Sequence, residues 1–386
     1  MNDAFQNRRR VSIDAMRGLI MVLMALDHAS FFIAKTHSSE FWGAALPTYD
    51  RALPFIVRAV THLCAPGFFL LMGIGMILFV EARARDGWRQ WRISRFFLVR
   101  GILLIVIQQV LENPAWLLGS LGTAPGAFTF RGGPVPGGGD PAEFYLGVLF
   151  GLGSTMAVWG ILIGLPSLAI ISISLAAIVS TQVIIVLADP RALYPPIVRM
   201  LILAGHTNDW MVFFPTIPWM GVTGLGIVLG RWISEQRTGV FCGLWLAGVA
   251  ALAVFAAVRL LFGHGSHLWA NSGWIDFFNV TKYPPGAAFL FLTLGMNLLL
   301  LHLSMRLENS ARPLWKPLVV FGASPLFFYI AHLYLYALMG WAFPRGVRLE
   351  QMIPVWLAGL LVLYPFCLGY GRFKKNRPPG SLWRLF

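Results

Sequence analysis

Apolar runs long enough to cross a bilayer recur along this chain, and nothing else in it constrains the fold as strongly. About 20 residues at 1.5 Å per residue span the roughly 30 Å of hydrocarbon as an α-helix. Lipid offers no partner to a backbone N–H or C=O, so a run of this kind must satisfy those groups within itself and is helical. Ten candidate spans follow, near residues 12–34, 55–80, 96–112, 144–163, 166–188, 212–231, 239–261, 286–305, 317–341 and 353–371. The expected fold is therefore all-α, a polytopic integral membrane protein of about ten transmembrane helices. With 57% apolar and only 12% charged residues, a soluble enzyme is excluded.

Orientation follows from the basic residues. With a cytoplasmic N-terminus, the inner connections hold Arg83, Arg85, Arg89, Arg92 and Arg95, then Arg231 and Arg237, then Arg306, Arg312 and Lys316. The outer connections carry scattered single cations such as Lys35, Arg131, Lys282 and Arg345, the asymmetry that the positive-inside rule describes. An even number of spans returns the C-terminus to the cytoplasm. The division expected is an N-terminal segment 1–11, a transmembrane domain 12–371 and a basic tail 372–386. Arg8, Arg9 and Arg10 precede an apolar run that is too long for a signal peptide and lacks a small-residue cleavage site, which indicates an uncleaved first span. The net charge of +14 is dispersed among short loops, so topology explains it and no nucleic-acid partner is expected. Cys64, Cys242 and Cys367 stand singly in apolar surroundings, without metal-type spacing or an even disulfide set. Membrane lipid is the expected surrounding; a homodimer stays open, because lipid-facing and partner-facing apolar surfaces look alike.

The first span, SIDAMRGLIMVLMALDHASFFIAKTH from Ser12 to His37, carries Asp14, Arg17, Asp27 and His28. An ionisable residue in hydrocarbon costs about 2.5 to 3.5 kcal/mol on insertion scales, so such groups mark function or are paired. Arg17 and His28 are eleven residues apart, three helical turns to within about 20°, which puts them on one stripe with Asp14, Met21 and Met24. Along the axis they are separated by roughly 16 Å. One face thus presents an anion-binding group at one depth and a titratable base at another. The plain alternative is an Asp14–Arg17 ion pair and a histidine satisfied within the bundle.

Counting from span ends puts His28, His62, His332 and Tyr336 in the outer half of the membrane, with Arg58 one turn further out. Arg17 and Arg100 lie at the inner end, with Arg95 at the surface, and buried arginine suits phosphate through its planar fork of donors. The outer connection from Asn113 to Glu143 contains GGPVPGGGDP, whose Gly and Pro density argues against regular structure. Two further outer connections hold aromatics with His206, Asn208, Asp209, His264, His267 and Asp276, a composition that suits a sugar or an interfacial belt equally. His264 and His267 have no further ligands nearby in sequence, so no metal is expected.

These residues carry a resemblance. SIDAMRGL followed by LMALDH, then THLCAPGFFLLMG (Thr61–Gly73), IPWMG (Ile217–Gly221), KYPP (Lys282–Pro285) and PLFFYIAHLY (Pro325–Tyr334), resembles the heparan-alpha-glucosaminide N-acetyltransferase-like proteins of the transmembrane acyltransferase superfamily. Related O-acyltransferases share D-x-x-R-G with a histidine eleven residues after the arginine, here His28. In the lysosomal glucosaminide enzyme that position resembles an asparagine, and the histidine implicated in catalysis is best matched by His37. The resemblance implies transfer of an acetyl group from cytoplasmic acetyl-CoA to an amine or hydroxyl of a sugar or glycan across the membrane, here the inner membrane of a bacterial cell. It implies His28 or His37 as base, with Asp27 or another acid orienting it. It further implies Arg17, Asp14 and Arg100 toward the acyl-CoA, and His62, Arg58, His332 and Tyr336 around the acceptor. His62, His332 or a backbone group are candidate donors to the developing oxyanion. Direct transfer and an acyl-histidine intermediate both fit, and a proton-coupled transporter or flippase is the alternative of another class.

Overall fold

The computed structural model of the protein describes residues 2–138, 144–207, 209–235, 240–261, 273–307, 312–377, 381 and 383. The chain is mostly helical. Helix α1 (Asn2–Phe32) leads into a short strand β1 (Thr36–Ser38), then α2 (Ala52–Thr61), α3 (Cys64–Arg85) and α4 (Gln90–Ile107). A π-helical turn, Gln108–Glu112, joins α4 to α5 (Asn113–Leu121). Strands β2 (Thr129–Arg131) and β3 (Phe144–Leu146) precede α6 (Val148–Leu162), α7 (Ser167–Leu187) and α8 (Pro196–Leu201). Next come β4 (Gly205–Thr207), β5 (Trp210–Val212), α9 (Thr216–Ser234), α10 (Val240–Leu261) and α11 (Trp274–Phe278). Helices α12 (Ala287–Leu307), α13 (Arg312–Gly322), α14 (Pro325–Gly340) and α15 (Leu349–Lys375) complete it.

Among the described residues seven helical stretches are long and apolar enough to cross a membrane, and an eighth counts if α13 and α14 are one broken span. Each of the ten expected segments contains a helix, but two of those helices do not reach that length and apolarity. The segment expected at 144–163 is the fifteen-residue α6, and the one at 212–231 is the nineteen-residue α9, diluted by Thr and Gly. The segment expected at 317–341 is not one helix. α13 and α14 meet at 95°, because Pro325 has no N–H to continue the ladder and Ser324 before it is driven off helical geometry, to φ −133° and ψ 61°. The connection expected to be irregular from Asn113 is helical as far as Leu121, and Thr129–Arg131 then pairs in parallel with Thr36–Ser38. The Gly- and Pro-rich part, as far as it is described, has bends and a turn without helix or strand.

Helix α1 is the axis of the fold. It packs chiefly against α13 and α14, with α12, α3 and α15 also in contact. Ile20, Ala25, Ala29 and Ile33 are completely buried. Between helices in lipid the driving force is close packing, which small residues allow. A Cβ on Gly18 would strike the Leu318 carbonyl, and one on Gly322 the Asp14 carbonyl, so α1 and α13 touch backbone to backbone. In contrast α7, α10 and α15 leave Leu187, Leu261 and Leu361 exposed, an apolar outer surface that suits lipid.

Candidate active site

Asp27 and His28 are consecutive on α1, so their side chains diverge by about 100° and meet different neighbours. Asp27 Oδ1 accepts from Arg58 Nη1 at 2.7 Å and from the Thr61 hydroxyl at 3.1 Å. Arg58 is 5% exposed; its Nε donates to Glu40 Oε1 at 2.6 Å and its Nη2 to Glu40 Oε2. His62 Nε2 lies 3.2 Å from the same Glu40 Oε1. One guanidinium from α2 thus bridges a carboxylate on α1 and a carboxylate in the following loop, the fork geometry at which arginine excels. The loop is held in turn by the KYPP stretch, since the N–H groups of Lys282 and Tyr283 both donate to the Glu40 carbonyl, at 3.0 and 3.1 Å. Burial alone would raise the Glu40 carboxyl, but Arg58 and His62 override it and hold it well below its ordinary value. His37, on β1, is partly buried beside this cluster. Burial and then the Arg58 cation lower its pKa to about 4, so the ring is neutral at neutral pH.

His28 turns the other way. Its Nδ1 lies 2.7 Å from His332 Nε2, and His332 Nδ1 lies 2.9 Å from the Phe328 carbonyl one turn back on α14. Trp116 of α5 meets the His28 ring edge-on at 5.1 Å between centroids, and Tyr329 does so at 6.4 Å. Asp27, one of the acids considered for orienting the base, makes no hydrogen bond to His28. Asp27 is committed to Arg58 and Thr61, and the group bonded to His28 is a second imidazole. Tyr336 is completely buried and donates to the Trp356 carbonyl at 2.8 Å, which ties α14 to α15.

At the other end of the α1 stripe, Arg17 Nη1 donates to Asp14 Oδ1 at 2.7 Å and to the Gly322 carbonyl at 3.0 Å. The pair therefore secures the last carbonyl of α13, where a cation also suits the helix dipole. Beside this end lies a cavity of about 900 Å³ that Arg100 does line, walled by Val319 and Val320 of α13. Arg83 at the end of α3 and Arg92 and Arg95 at the start of α4 enter it together with Arg372, Lys374 and Lys375 from α15. Trp88, Trp91, Phe79 and Phe96 supply aromatic faces, with the Arg92 guanidinium 4.1 Å from the Trp88 ring centroid. Two stretches remote in sequence, both basic, thus converge on one concave surface.

The family described as heparan-alpha-glucosaminide N-acetyltransferase, catalytic, matches residues 9–262, about two thirds of the chain. The chain belongs to this family. Comparison with curated proteins finds no match. The chain is accordingly an integral membrane protein with the catalytic domain of a transmembrane acetyltransferase. The heparan-alpha-glucosaminide N-acetyltransferase match takes in Asp14, Arg17, Asp27, His28, His37, Arg58, His62 and Arg100, and ends before Lys282, His332 and the α15 side of the cavity.

Several groups at this site of the N-acetyltransferase domain are not singled out by any pattern in the sequence. Glu40 is the buried partner of Arg58, and the signal for it was the need of an arginine near the membrane for a counterion. Lys282, 5% exposed, lies in the KYPP motif, which carries the resemblance without assigning this residue a role. Glu112 is 3% exposed in the π-helical turn; Trp116 Nε1 reaches its Oε1 at 3.4 Å, and no hydrogen-bond partner for its Oε2 occurs among the described residues. No sequence pattern announces a π-turn. Of the outer-loop residues, His206 is on β4 and Asp276 on α11, where the Asp276 carbonyl accepts from Arg259; Asn208, His264 and His267 lie outside the described residues.

Proposed function

We propose that this chain transfers an acetyl group from cytoplasmic acetyl-CoA to an amine or hydroxyl of an extracytoplasmic sugar or glycan, with His28 as general base. The observation that carries the proposal is the pairing along α1 of a basic, aromatic-walled cavity at one end with neutral-capable imidazoles near the other. Coenzyme A presents an adenine and several phosphates, and the cavity offers aromatic faces for the first and a dense set of cations for the second. Arg92, Arg95 and Lys375 are the proposed phosphate ligands, with Trp88 or Trp91 under the base. Arg17, whose Nη1 is engaged by Asp14 and Gly322, is proposed to hold the inner end in shape instead of binding phosphate. The roughly 16 Å from Arg17 to His28 suits the extended pantetheine arm.

In this reading the acceptor N–H or O–H gives its proton to His28 as its heteroatom bonds to the thioester carbonyl carbon. The tetrahedral adduct then collapses, the C–S bond breaks, and the proton passes to the departing thiolate, releasing CoA. Holding both substrates together makes direct transfer the simpler course. The cytoplasmic basic connections also support ten spans with both termini inside, in a bacterial inner membrane. Calorimetry with acetyl-CoA tests the proposal: binding is expected, and His28→Ala is expected to bind it equally while losing transfer. Absence of any acyl-CoA binding by folded protein would refute it. Full transfer by His28→Ala with loss in His37→Ala would move the base to His37.

A further inference from the structure

We propose that His332 is a positioning residue that dictates which nitrogen of His28 is free to act; this rests on the reading of His28 as the base. A carbonyl oxygen can only accept. The 2.9 Å contact between His332 Nδ1 and the Phe328 carbonyl therefore fixes the hydrogen of His332 on Nδ1. A neutral His332 then bears a lone pair on Nε2, 2.7 Å from His28 Nδ1. Two lone pairs cannot face each other at that distance, so His28 Nδ1 carries a hydrogen and donates it. By elimination the lone pair of neutral His28 is on Nε2, the nitrogen opposite the dyad.

The surroundings preserve this arrangement. His332 is completely buried on α14, and its ring lies at 9° to that of His28. Phe328 stacks on the His332 ring at 5.2 Å, and the edge of Trp116 meets the His28 ring at 5.1 Å. Asp27, the acid adjacent in sequence, is engaged by Arg58 and Thr61, so an imidazole fills the orienting place that a carboxylate takes in serine hydrolases. When the acceptor's N–H or O–H bond breaks and the proton bonds to His28 Nε2, the resulting imidazolium still donates from Nδ1 to His332 Nε2. The second ring then shares the charge without itself touching substrate. This assignment also removes His332 as an oxyanion donor, since its one N–H is taken by Phe328 and its other nitrogen accepts.

The test has two parts. Nitrogen NMR of wild-type protein with labelled histidine side chains, the His28 signals assigned by their loss in His28→Asn, is expected to show His28 protonated on Nδ1 and bare on Nε2. The opposite tautomer overturns the inference outright and requires no active-site variant to be functional. In kinetics, His332→Leu removes the acceptor and is expected to lower kcat about 10- to 1000-fold with the KM for acetyl-CoA changed less than about twofold. His332→Gln restores an accepting oxygen and is expected to recover most of the loss. If His28→Ala is inactive while His332→Leu is fully active, the inference fails and the base assignment stands. If His28→Ala is itself fully active, the base assignment has failed.

Discussion

Arg58 is the residue on which the outer end depends most. It lies between Asp27 and Glu40, the second of which is completely buried, and removing a cation from such a place strands two carboxylates away from water. Arg58→Met is predicted to destabilise the protein by about 3 to 5 kcal/mol, seen as a marked fall of the thermal midpoint in detergent. The triple variant that adds Asp27→Asn and Glu40→Gln should recover a substantial part; a triple variant no more stable than the single one would contradict this. His37 supplies a pH dependence. Folded, it titrates near 4 in place of its ordinary 6.5, so between those values the unfolded chain binds more protons and stability falls as pH is lowered. Glu40, held below its ordinary 4.5, adds to the acid lability by losing its stabilising charge as pH falls further. The thermal midpoint is expected to drop from pH 7 to pH 5, and His37→Gln to flatten that slope; an unchanged slope would show that other groups set it. At this scale the sequence reveals the ionisable residues that hydrocarbon makes conspicuous, such as Arg17, His28 and Arg58. It conceals their partners: Glu40 lies in an ordinary-looking loop, and nothing local links it to a residue eighteen positions away.

Helices are legible because lipid demands long apolar runs, while their interruptions depend on geometry that apolarity does not encode. The 95° break between α13 and α14 falls inside a continuous apolar run, and only Pro325 hints at it. The break matters because α14 thereby brings His332 to α1 while α13 walls the basic cavity. Close contact is the other element-scale device. Gly322→Val is predicted to push α13 off α1 and to lower the thermal midpoint strongly, because the added carbon meets the Asp14 carbonyl, which cannot yield. Gly369→Ala on α15, where nothing stands within 4 Å, is the control and is expected to be neutral or stabilising by up to about 1 kcal/mol. Equal effects of the two would mean that the α1–α13 contact is not a determinant of the fold.

Across the molecule, the charge asymmetry that orients the spans also furnishes the basic cavity. Residues from the end of α3 to the start of α4 and residues at the end of α15 meet there although roughly 280 positions separate them, a convergence no linear pattern discloses. Affinity for acetyl-CoA is therefore predicted to fall as salt is raised, because partly exposed cation–phosphate contacts are screened. Arg92→Ala is predicted to raise the KM for acetyl-CoA about tenfold at constant kcat, since it would remove binding shared by ground and transition states. A fall in kcat alone would contradict that. Acetyl transfer through His28 can be followed across a sealed membrane. Purified protein in liposomes receives radiolabelled acetyl-CoA on the face bearing the basic cavity and an amino-sugar acceptor on the other. Acetylated sugar is expected on the far side for wild type, and background label for folded, acetyl-CoA-binding His28→Ala; equal product from both proteins would remove His28 from the transfer.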